Sequence, residues 1–170
     1  RMGAMPKFRL NFTGATQLPE AVLPNTTDQI NPMQDNQVYV LDPTKLGQTP
    51  NVFIGSNDQE LAREDKYTND VFIISDDPTF KGRQIRLYHT GQAWKITKYW
   101  EMSQPWLVLN GNDIEKRSDE LLPGTHTIIA NDKTAFIVTI DDTGIAKIQK
   151  VTPDQARTEA IKTPPPAPLT

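Results

Sequence analysis

The residues able to do chemistry in this chain are few and scattered. The two histidines, His89 and His126, have no second His, Cys or carboxylate at metal-ligand spacing, and cysteine is absent. A structural or solvated role is expected for both. The paired acids Asp76-Asp77 and Asp141-Asp142 fall at the ends of apolar runs, where acids usually terminate strands and make turns. No Gly-x-Ser-x-Gly elbow and no Gly-rich phosphate loop occurs. The chain is therefore expected to be no enzyme, with no catalytic residue, metal or cofactor. Binding chemistry is better represented. Lys81 and Arg83 share one short segment, with Arg63 and Lys66 in the segment before it. Trp94, Trp100 and Trp106 cluster mid-sequence; one belongs in the core, and Trp106 is either an interface anchor or loop packing.

The elements that must position these residues read as strands. Pro105 to Ile140 holds three apolar runs bounded by Asn110-Gly111, Pro123-Gly124 and Asn131-Asp132, the pattern of consecutive antiparallel strands. Further strands are expected at residues 7–12, 38–41, 52–54, 85–89, 93–97 and 144–151. The fully apolar run 71–74 reads as a strand covered on both faces. Thr90-Gly91-Gln92 reads as a hairpin turn into Trp94 and Ile96, which face one side while Lys95 and Thr97 face the other. Residues 15–36 read as a loop or insertion and 57–69 as an exposed loop. One helix is expected, roughly over 153–162, from a capping box of Thr152 and Gln155 with Pro153 at the first helical position.

About ten short strands and one helix give an all-β fold, an antiparallel β-sandwich with a short C-terminal helix and a Pro-rich tail. The 170 residues suit one domain, over 6–151, followed by helix and linker over 152–170. Residues 1–5 read as cloning residue. Residues 163–168 favour extended polyproline II and read as a linker. The net charge of −3 lacks a basic footprint for nucleic acid. No run approaches a membrane span and none reads as a signal peptide, so no membrane contact is expected.

The order of strands and turns resembles a forkhead-associated (FHA) domain over roughly residues 37–141. Val52-Phe53-Ile54-Gly55-Ser56 stands where that family ends a strand in Ile-Gly-Arg. Asp70 to Ile74 stands at the next strand, and Asp77 to Leu87 covers the Ser-Arg-x-His segment and the strand after it. Trp94-Lys95-Ile96 matches the hairpin partner. Leu109-Asn110-Gly111, with Ile114, matches a Val-Asn-Gly-x-x-Ile turn. Leu121, Gly124, Thr127, Ile128 and Ala130 match Leu-x-x-Gly-Asp-x-Ile-x-Ile-Gly, and Phe136 the last core strand.

Departures from the family pattern fall on function. The family reads phosphothreonine peptides with an Arg where this chain has Ser56, and with Ser-Arg-x-His where it has Lys81, Gly82 and Gln84. In the later loop Ser103 stands where a Ser is expected, but Pro105-Trp106-Leu107 replaces the Asn-Gly-Thr that grips peptide backbone. A phosphate dianion needs several charge-assisted hydrogen bonds, each worth about 1.5–3 kcal/mol. The resemblance thus implies a cytoplasmic, non-enzymatic protein-interaction module docking a protein or peptide without reading phosphate. In the family such modules occur as scaffolds, including parts of bacterial secretion machines. Its candidate partner residues are Ser56, Asn57, Lys81, Arg83, Ser103, Trp106 and Asn110. The alternatives are a phosphothreonine reader using substituted basic residues, and a viral or phage structural β-domain.

Overall fold

The computed structural model describes residues 21–22, 32–46, 51–56, 71–77, 84–98, 107–113 and 118–162. Twelve strands and two helices are described. In chain order they are β1 (Ala21–Val22), β2 (Val38–Leu41), α1 (Pro43–Leu46), β3 (Asn51–Ser56), β4 (Val71–Ser75), β5 (Ile85–His89) and β6 (Trp94–Lys98). Then follow β7 (Leu107–Leu109), β8 (Asn112–Asp113), β9 (Ser118–Leu121), β10 (Gly124–Ala130), β11 (Thr134–Ile140), β12 (Ala146–Val151) and α2 (Pro153–Lys162). They form two sheets, ordered β1-β2-β12-β11-β10-β7-β8 and β4-β3-β5-β6-β9. Pairing is antiparallel except between β1 and β2 and between β3 and β4. The fold is an all-β sandwich.

Alternation along the strands builds the core. On β11, Phe136, Val138 and Ile140 face inward, as do Ile128 and Ala130 on β10. From the other sheet Val52, Ile54, Ile73, Ile85, Leu87, Trp94 and Ile96 meet them. The opposite faces of β10 and β11 are also buried. Ile129, Ala135 and Val151 gather around Ala156 of α2, with Val108 and Ile137 beside them. A ten-residue helix is marginal alone, so this docking makes α2 stable. The capping box forms as the sequence requires: Gln155 N–H donates to Thr152 Oγ1 (3.1 Å) and Thr152 N–H to Gln155 Oε1 (2.8 Å).

Several sequence expectations are refined. Residues 15–36 contain β1, and Met33 of the same stretch is buried with its N–H donating to Ile74 O. The strand ending at Asp42-Pro43 turns directly into α1, because Asp42 caps it: Thr44 N–H and Oγ1 both donate to Asp42 Oδ1. The apolar run around 120–131 is two strands in different sheets. β9 joins the five-stranded sheet, while β10 joins the seven-stranded one. Thr97, on the face of β6 away from Trp94 and Ile96, is buried as well. The expected strand 7–12, the loop 57–69 and the Pro-rich tail lie outside the described residues.

Candidate functional site

Strand register brings many strand termini to one end of the sandwich. β3 and β4 run parallel and finish together, with Ser56 opposite Ser75. Ile54 of β3 pairs with Ile85 at the start of β5, and Ile85 pairs with Lys98 at the end of β6. In the other sheet, Ala130 at the end of β10 pairs with Leu107 at the start of β7 and with Thr134 at the start of β11. The described residues Ser56, Asp77, Gln84, Lys98 and Leu107 therefore all lie at this end.

Two polar bridges tie the sheets together here. Thr134 of β11 donates its hydroxyl to Asp77 Oδ2 at 3.3 Å, beyond the end of β4, and both residues are buried. Asp77 N–H in turn donates to Ser75 Oγ at 3.1 Å. Lys150 of β12, opposite Phe136 and so on the inner face, reaches Asp35 Oδ1 at 2.7 Å and Asp76 Oδ1 at 3.8 Å. Its side chain is only 11% exposed, so the ammonium is committed to these two carboxylates rather than offered to a ligand.

The proposed partner residues distribute unevenly about this end. Ser56 is the last residue of β3 and lies at it. Asn57, Lys81, Arg83, Ser103 and Trp106 lie outside the described residues. Asn110 sits apart, at the tip of the β7–β8 hairpin. Asn110 (φ 54°) and Gly111 (φ 85°) both take the left-handed conformation that a two-residue hairpin demands. Its amide is used internally: Oδ1 accepts from Thr127 N–H at 2.8 Å, and Nδ2 lies 3.0 Å from His126 Nδ1. In the sequence, Asn-Gly marked the turn but could not mark these contacts, 16 and 17 residues away.

The remaining chemistry-bearing residues make internal contacts. His126 is buried, with Nε2 at 2.6 Å from Leu122 O. Burial holds its pKa below the ordinary value, opposed by the Leu122 carbonyl and by Asp119. His89 lies at the opposite end of the sandwich, edge-on to Trp94, and accepts from Gly91 N–H at Nδ1; burial lowers its pKa too. Trp94 donates from Nε1 to Gly144 O at 2.7 Å, joining the sheets there. Asp141 organises the β11–β12 turn, with Oδ1 accepting from Thr143 Oγ1, Thr143 N–H and Ile145 N–H. The Thr143 hydroxyl foremost holds its carboxyl below the usual range. Among the described residues, no group of three or more His, Asp or Glu is placed to hold a metal, and no helix is long and apolar enough to cross a membrane.

Comparison with protein-family models, with curated proteins and with solved structures finds no match for this chain.

Proposed function

We propose that this chain is a non-enzymatic docking module of FHA-like kind, which binds a protein partner at the Ser56 end of the sandwich without reading phosphate. The observation that carries the reading is the convergence of strand termini there. Strand ends gathered at one end of a double sheet are where connecting segments commonly carry binding function. The electrostatics of the same end support independence from phosphate. Asp35, Asp76 and Asp77 stand among the described residues there, and Lys150 is held between the first two. A phosphate dianion approaching these carboxylates meets repulsion. Trp106, immediately before β7, supplies an aromatic anchor of the type enriched in interface hot spots.

The test is affinity capture with the intact chain from lysate divided into phosphatase-treated and untreated halves, with Trp106→Ala alongside. The expected result is one partner recovered equally from both halves and lost with Trp106→Ala, whose thermal midpoint stays near wild type. A partner recovered only from the untreated half would make the chain a phosphopeptide reader instead. Retention by a folded Trp106→Ala would contradict the assigned surface.

A further inference from the structure

The Asn110–His126 contact has a defined direction of donation, and that direction makes it sensitive to protons. Thr127 N–H donates to Asn110 Oδ1 at 2.8 Å, which fixes the oxygen side of the amide. The other side, Nδ2, is then a donor pointing at His126 Nδ1, 3.0 Å away. Nδ1 must accept, so the ring proton sits on Nε2, where it donates to Leu122 O at 2.6 Å. Each group in this chain has one compatible role. An imidazolium carries a proton on both nitrogens and would turn Nδ1 against the Asn110 amide, donor facing donor.

We infer that His126 is the proton-sensitive member of a latch that holds the β7–β8 hairpin onto β10. The neutral ring closes it through Asn110, and protonation opens it. Besides this side chain, the hairpin is joined to β10 by the short β7 ladder over Leu107–Leu109 and by Asn110 N–H donating to Thr127 O. The surroundings are consistent with a ring kept neutral. On β11, Val138 lies opposite His126, and the turn that follows β7 brings Asn110. From β9, Asp119 favours the charged form, while Asp113 on β8 is exposed and pairs with Val108. Burial of the ring outweighs Asp119 and the Leu122 carbonyl. The latch does not depend on whether the Ser56 end docks a partner.

The experiment is an NMR pH titration of the isotope-labelled chain, with His89→Gln alongside to assign the two rings. At neutral pH, His126 should show the Nε2–H tautomer. On acidification, the Asn110 side-chain amide and the Thr127 backbone amide should shift with the His126 midpoint, which should lie below 6.5. The Thr127 amide should lose about tenfold in hydrogen-exchange protection as one buried bond is given up. In Asn110→Ala the His126 midpoint should rise. An Nδ1–H tautomer, a midpoint at or above 6.5, or Asn110 and Thr127 signals indifferent to the His126 titration would each overturn the latch. If Asn110→Ala fails to fold, the wild-type titration alone decides.

Discussion

Asn110 illustrates how two local effects compete at one residue. Glycine would hold its left-handed φ of 54° with less strain, a gain of a few tenths to about 1 kcal/mol. It would also strip the partner from Thr127 N–H, a buried donor, and from His126 Nδ1, at about 1–3 kcal/mol for each group left unsatisfied. The second effect is larger, so Asn110→Gly should lower the urea midpoint although it suits the turn. An unchanged or raised midpoint would show that the amide is unimportant. His126 sets a pH dependence of definite sign. Burial holds its folded pKa below the ordinary 6.5, so the unfolded chain takes up the proton first. The stability linked to His126 is complete above that value and falls as pH drops below it. His89 acts in the same sense. Chemical denaturation across that range should therefore show midpoints constant at alkaline pH and declining through 6.5.

At the scale of elements, α2 is the clearest case of a structure legible in sequence. Thr152, Pro153 and Gln155 gave its start, and Pro153–Lys162 is where it lies. Thr152→Ala removes the Oγ1 that accepts from Gln155 N–H, leaves the backbone N–H that donates to Gln155 Oε1, and should cost about 1 kcal/mol, read as a drop of a few degrees in thermal midpoint. Ending the chain at Val151 should have a larger effect. It uncovers Ile129, Ala135 and Val151 on the outer face of the seven-stranded sheet, and a dye for exposed apolar surface should bind the shortened chain and not the full one. The strands β5, β6, β11 and β12 were equally legible, because period-two alternation and local turn residues are both short-range signals. The sheet assignment of β9 was not. Leu121 and Gly124 lie three residues apart in sequence, and only contacts with Trp94 and Ile140 send them to different sheets. The two-residue β1 depends wholly on β2 for its existence, and no pattern within it announces a strand.

For the molecule as a whole, the two ends of the sandwich are closed by different chemistry. One has Trp94 donating to Gly144 O, with His89 edge-on to the indole. The other has Thr134 on Asp77 and Lys150 between Asp35 and Asp76. Trp94→Phe keeps most of the packing and orphans one carbonyl, so a loss of about 1–3 kcal/mol is expected by calorimetric unfolding. The polar end was hidden from sequence reasoning because its partners are far apart, 57 residues for Thr134 and Asp77 and 115 for Lys150 and Asp35. Asp76 and Asp77 read as ordinary strand-terminating acids, yet Asp77 is buried in a bridge between sheets. This end is where docking without phosphate is proposed, and its acids bear most directly on that claim. The direct measurement is calorimetric titration of the intact chain with a degenerate phosphothreonine peptide library and with the same library unphosphorylated. The account requires that phosphate add nothing to binding. Micromolar binding by the phosphorylated library alone would contradict it.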